Sequence, residues 1–137
     1  MMRLRRLRRN NSGAAVIEMA FALPAMIIML WAVVQLGLVF RAVSGIQHGL
    51  GEGARFATLF PQPENDAIKA KIQDAVYGIG PGTFTISDPV ADVEDGSVNL
   101  TLTVSYTQST DLLLLPGPDI TVSRSKVVWV AGIDEDA

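Results

Sequence analysis

Glu18 is the residue that most needs a chemical account. It stands near the start of a 27-residue stretch, Ala14 to Phe40, that holds no other charge. The 16 residues from Met19 to Val34 hold no strong polar group either. A lone carboxylate inside a bilayer costs on the order of 2.5–3.5 kcal/mol, so it needs either the lipid headgroups or a cationic partner. An opposite charge about 4 Å away returns roughly 4 kcal/mol at an effective dielectric of 20, enough to offset that cost. Two further features surround the carboxylate. Ser12-Gly13-Ala14 places small residues between a basic tip and the apolar run, which is where a peptidase could cut. Pro24 removes a helical hydrogen bond and clashes with the preceding turn, so it marks either a tolerated kink or a segment that unwinds when subunits pack.

Catalytic chemistry finds few materials. The chain has no cysteine and one histidine, His48, which lies alone in a glycine-rich segment and reads as an exposed polar residue. No thiolate zinc site, cysteine nucleophile or disulfide framework can be built. No Ser/His/Asp arrangement, carboxylate dyad or metal cluster follows from spacing, so neither enzyme activity nor a cofactor or metal is expected. Gly49-x-Gly51-x-x-Ala54 has the outline of a dinucleotide fingerprint but lacks the preceding strand and the βαβ unit. Asp88, Asp92, Glu94, Asp95 and Gly96 form an acidic stretch that departs from the EF-hand pattern, with glycine one place early and no terminal glutamate. It reads as a solvated turn between strands.

The elements that position these residues begin with a charge asymmetry. Arg3, Arg5, Arg6, Arg8 and Arg9 precede the apolar run with no acid among residues 1–13. The rest of the chain holds the other six basic residues and all 14 acids, a balance of −8. A helix over Ala14–Phe40 would be roughly 40 Å long, against a hydrocarbon core of about 30 Å. With five arginines before it and only Arg41 just after it, the positive-inside rule puts the N-terminus in the cytoplasm and the remainder across the membrane. Nucleic acid is the weaker partner, since no basic surface or stacking aromatics accompany the arginines. A secretory signal cut at Ala42-Val43-Ser44 is a further option, but Arg41 adjoins that site and the apolar core is long for a signal.

Residues 41–60 can extend the helix through Ala42, Val43, Ile46, Leu50, Ala54, Phe56, Ala57 and Leu59. Glycines 45, 49, 51 and 53 make this segment either a closely packed helix or a frayed hinge. Pro61-Gln62-Pro63 is a break, and a second helix is expected over Glu64–Tyr77, with Ile68, Ile72, Ala75, Val76 and then Ile79 on one face. Strands follow. Thr83–Ser87 alternates, and Val98, Leu100, Leu102, Val104 and Tyr106 alternate cleanly with polar residues. A third strand begins at Ile120 and runs to about Val130, its apolar phase slipping at Arg124–Val127, which predicts a bulge or an edge there. Leu112-Leu113-Leu114-Leu115-Pro116-Gly117-Pro118 is unusually apolar for a loop and is expected to fold over the open sheet face. The alternative is an exposed patch that docks another subunit. The fold class is α+β: a long N-terminal transmembrane helix, a second helix and an antiparallel sheet of about three strands.

Gly13-Ala14-Ala15-Val16-Ile17-Glu18-Met19-Ala20-Phe21-Ala22-Leu23-Pro24, followed by the apolar run and Gln35-Leu36-Gly37, resembles the N-terminus of TadE-like proteins. These are pilin-like components of the Tad (tight adherence) pilus, a branch of the type IV pilus systems. Gly13 and Glu18 stand at the type IV prepilin spacing, with Met19 where many members carry an aromatic. The chain is shorter than TadG-like proteins and longer than the small major pilin. The resemblance implies a basic prepilin leader at 1–13, cut after Gly13 by a prepilin peptidase to free the Ala14 amine. It implies that Glu18 pairs with that amine on a neighbouring subunit. It also implies a transmembrane pilin helix at 14–40, an exported head at 41–137, and partnership with other pilin subunits and the Tad assembly machinery. The expected setting is the bacterial inner membrane, single-pass, with the head periplasmic or carried into an extracellular pilus. Two alternatives stay open: a soluble periplasmic binding protein released from a cleaved secretory signal, and an uncleaved membrane-anchored accessory protein that recruits partners through its acidic head.

Overall fold

The computed structural model describes residues 12–94, 97–111, 113 and 116–130. Helix α1 spans Ser12–Ala57, 46 residues, about 69 Å at 1.5 Å per residue. The apolar run and the glycine-rich segment are therefore one continuous helix, and the hinge alternative falls away. The reason lies in the glycine spacing. Gly45, Gly49 and Gly53 recur every four residues and so share one stripe. A Cβ at Gly45 would overlap the Tyr77 carbonyl, one at Gly49 would lie 2.5 Å from Val76 Cγ2, and one at Gly53 would overlap the Ile72 side chain. The helix propensity given up at these positions, about 1 kcal/mol each, is offset by close approach of the next element.

That element is helix α2, Asn65–Ala75. It buries Ile68 and Ile72 against α1. It is shorter at both ends than the expected Glu64–Tyr77. Glu64 is the N-cap, in extended conformation, and Val76 is already extended at φ −69°, ψ 134°. Tyr77 lies beyond the helix end, with its carbonyl against Gly45. Gly78 and Gly80, at φ 68° and 54°, then turn the chain toward the sheet rather than capping the helix.

The sheet has four strands: β1 (Thr83–Ile86), β2 (Val90–Glu94), β3 (Ser97–Asp111) and β4 (Pro116–Val130). All pairings are antiparallel and all involve β3. β4 lines one edge of β3, from Val98↔Val130 to Asp111↔Pro116. β1 and β2 lie end to end along the other edge, from Thr83↔Thr107 to Glu94↔Ser97. The extra strand corrects the expectation of about three. Pro89 has no N–H for the ladder, which separates β1 from β2. Asp92 and Glu94 therefore sit in a paired edge strand and not in a solvated turn; Asp95 and Gly96 lie outside the described residues. Lys69 Nζ on α2 donates to Asp88 Oδ1 (2.7 Å) and Asp66 Oδ1 (2.9 Å), tying α2 to the β1–β2 join. Those two hydrogen bonds, Asp88 first, raise the Lys69 pKa from 10.5 to about 12.

No bulge occurs at Arg124–Val127, where β4 pairs residue for residue with β3. The phase slip reflects an edge strand: Arg124 to Val127 are all exposed, while Val128 packs against the core and Val130 is buried. The register shift lies instead between Ser109 and Asp111. The core joins Leu100, Leu102, Val104 and Tyr106 of β3 to Ala42, Ile46, Leu50 and Ala54 of α1 and to Ile68 and Ile72 of α2. Tyr106 is fully buried, with Oη 2.8 Å from the Ile79 carbonyl and 2.7 Å from Gln108 Oε1. Burial pushes its hydroxyl pKa above the ordinary value, against a smaller opposing effect of the Gly82 backbone.

Candidate functional site

The N-terminal half of α1 projects beyond the head. Phe21 is 77% exposed, Met29 62% and Val16 68%, on different sides of the helix. A soluble protein does not leave a surface of this size in water. The helix is long and apolar enough to cross a membrane, and only 11% of its most apolar window is buried, which separates it from a soluble core helix. Glu18 is exposed on this stretch and has no hydrogen-bond or ion-pair partner among the described residues. Gly13 and Ala14 occupy the first turn, exposed, and a Cβ on Gly13 would meet nothing within 4 Å. α1 continues through Pro24, where the Ala20 carbonyl loses its helical donor. Gly13, Glu18 and Pro24 are thus strung along about 17 Å of one helix and are not gathered into a cluster. Arg3, Arg5, Arg6, Arg8 and Arg9 lie outside the described residues.

The head grips α1 through a contact that sequence patterns did not reveal. Trp31 Nε1 donates to Asp111 Oδ1 at 2.6 Å. Gln35, buried within the apolar run, uses its carboxamide on the Asp111 backbone: Nε2 donates to the Asp111 carbonyl, and Oε1 accepts from the Asp111 N–H at 3.1 Å. The Leu113 N–H donates to the same carboxylate oxygen at 3.1 Å. The register shift lies at the same place: between Ser109↔Asp119 and Asp111↔Pro116, Thr110 of β3 stands against both Gly117 and Pro118 of β4, so the extra residue belongs to β4. The signal for this clamp was a polar residue, Gln35, inside an apolar stretch; its partner is 76 residues away and no local pattern points to it.

Two other sequence expectations meet the structure here. Leu113 is 50% exposed at φ 71°, so it is not folded over the sheet face; Leu112, Leu114 and Leu115 lie outside the described residues. His48 is exposed, with its ring edge against Tyr77 at 5.6 Å between centroids. Among the described residues, no group of three or more His, Asp or Glu side chains is placed to hold a metal.

Residues 13–55 match the family model of TadE-like protein. The match begins at the glycine before the apolar run, includes Glu18, Pro24, Trp31 and Gln35, and ends two residues before the end of α1. It leaves α2 and the sheet outside. No curated protein and no solved structure matches the chain significantly. The match associates the chain with the pilin-like proteins of Tad pili.

Proposed function

From the TadE-like segment at residues 13–55 we propose that the protein is a minor pilin or pseudopilin of a Tad pilus, a structural subunit required for pilus assembly and, through it, surface adherence. The observation that carries this reading is a helical stretch, Ala14–Phe40, exposed on almost all sides, whose one charge, Glu18, stands five residues after Gly13. The chain inserts with its arginines in the cytoplasm and its head outside. A prepilin peptidase cuts after Gly13 and frees the Ala14 amine. Glu18 then pairs with that amine on a neighbouring subunit, and the roughly 4 kcal/mol available at about 4 Å offsets the cost of the carboxylate in lipid. Within its own helix Glu18 is exposed and free to do so.

Release by a secretory peptidase is less compatible with the fold. Ala42 and Val43 are core residues, so a mature start near Gly45 would remove them, together with Val39 and the Gln35 clamp. The test is Glu18→Ala in cells carrying the pilus system. Membrane insertion should persist while incorporation into pili is lost. Normal pilus assembly by the variant would remove the intersubunit pair and leave the carboxylate a headgroup contact only.

A further inference from the structure

The two edges of the sheet carry opposite charge. β4 and β2 each pair with β3 alone, on opposite sides of it, so each leaves its outer edge open. β4 bears Arg124 and Lys126, and β2 bears Asp92 and Glu94; all four are exposed. The members of each pair stand two positions apart, so they share a face of their strand at a spacing of about 7 Å. Among the described residues none of the four belongs to an ion pair. Arg124 Nη1 donates to the Ser123 carbonyl at 3.2 Å, and Asp92 Oδ1 accepts from the Val93 N–H at 2.9 Å.

The two pairs point to different faces. Arg124 and Lys126 stand opposite the core residues Val104 and Leu102, on the side of α1. With Gln47 and Leu50 they line an open cleft between helix and strand. Asp92 and Glu94 stand opposite Asn99 and Ser97, on the outer face. The acidic edge of one copy can therefore lie against the basic cleft of another, the two heads overlapping like shingles. The register fits. Along β3, Arg124 lies at Val104 and Asp92 at Asn99, five positions apart; Lys126 lies at Leu102 and Glu94 at Ser97, again five apart. One displacement of about 17 Å along the strands thus sets Arg124 against Asp92, and Lys126 against Glu94, of a parallel second copy. Charge selects this contact over its rivals. Two β4 edges would set cations against cations, and two β2 edges acids against acids. Charges at both edges also oppose a backbone ladder between copies, so the match is made by side chains.

We propose that the β4 edge of the head docks the β2 edge of a second copy of this chain, through ion pairs of Arg124 with Asp92 and of Lys126 with Glu94. The contact is heterologous, because the two surfaces differ, and each copy keeps one edge of each sign for the next. Repeated with the same displacement, it gives an open row of heads that climbs about 17 Å per copy. It adds a contact between heads to the pilin reading and needs neither cleavage after Gly13 nor the Glu18 pair.

The chain has no cysteine, so introduced thiols report without background. The full chain carrying both Glu94→Cys and Lys126→Cys, in detergent, is treated with a short bismaleimide, while Arg124 and Asp92 remain to hold the contact. A ladder of dimers, trimers and larger species is expected. Neither single variant should cross-link alone, and a mixture of the two should give dimers only. Adding Arg124→Asp should lower the ladder several-fold, and adding Asp92→Arg to that chain should restore it, with circular dichroism establishing the fold of each variant. Dimers from Lys126→Cys alone would show a symmetric contact and overturn the proposal. So would the absence of cross-links from both the double variant and the mixture, or a ladder that Arg124→Asp leaves unchanged. These results leave the pilin reading standing, because Glu18→Ala tests that reading separately in cells.

Discussion

Gly45→Ala and Gly51→Ala add the same methyl group to the same helix, six residues apart, with opposite expected results. At Gly45 the new Cβ would fall on the Tyr77 carbonyl oxygen, a backbone atom that cannot rotate aside. Overpacking of this kind costs about 1–3 kcal/mol, and an immovable neighbour puts it in the upper part of that range. Alanine recovers about 1 kcal/mol of helix propensity. The net loss is then roughly 1–2 kcal/mol, a fall in Tm on the order of 10 °C for a head of this size. At Gly51 the nearest atom to the new Cβ is Lys126 Nζ at 3.9 Å, so only the propensity gain remains. There Tm should rise by several degrees, in line with about 1 kcal/mol. Thermal unfolding of both variants in detergent, followed by far-ultraviolet circular dichroism of the sheet, measures the pair. A rise in Tm for Gly45→Ala, matching Gly51→Ala, would refute the close approach of α1 and the α2 exit.

Gln35→Ala should leave the Asp111 amide and carbonyl without their partner, at a cost of about 1 kcal/mol; hydrogen exchange at the Asp111 amide should then quicken roughly fivefold, while Val104 and Tyr106 exchange as before. The head should lose stability as pH rises from about 10. Lys69 has a pKa raised from 10.5 to about 12 by Asp88 and Asp66, so its contribution is complete below 10.5 and fades as pH approaches 12. Tyr106 has a pKa raised from 10.0 by burial, so the folded state keeps the neutral phenol while the unfolded chain ionises, and stability falls above 10. Unfolding midpoints taken from pH 10 to 12 should fall less steeply in Tyr106→Phe and in Asp88→Asn than in the parent chain.

Local pattern was enough wherever an element carried its own period. β3 was legible because Val98, Leu100, Leu102, Val104 and Tyr106 must face one side, and α1 because the apolar run is uninterrupted. β2 was missed because all five of its residues are exposed; an edge strand covered on neither face needs no alternation, and Asp92 and Glu94 then look like a turn. The glycines at 45, 49 and 53 could be a stripe or a hinge until the second helix was in place, since Ile72 and Tyr77 decide between them. The clamp of Trp31 and Gln35 on Asp111 joins residues 80 and 76 positions apart, which no hydrophobic pattern encodes. Of the candidate site, Gly13, Glu18 and Pro24 were legible because each is an exception within a uniform apolar context. The clamp residues were not, because their meaning comes from a partner far along the chain.

The central claim is that the leader ends at Gly13 and the helix begins at Ala14 as a pilin-like subunit. Intact mass and N-terminal peptide mapping of the membrane-extracted protein, from cells with and without the prepilin peptidase, test it most directly. A start at Ala14 that depends on the peptidase is the predicted result. A full-length chain in cells carrying the peptidase, or a soluble species starting near Gly45, would contradict it.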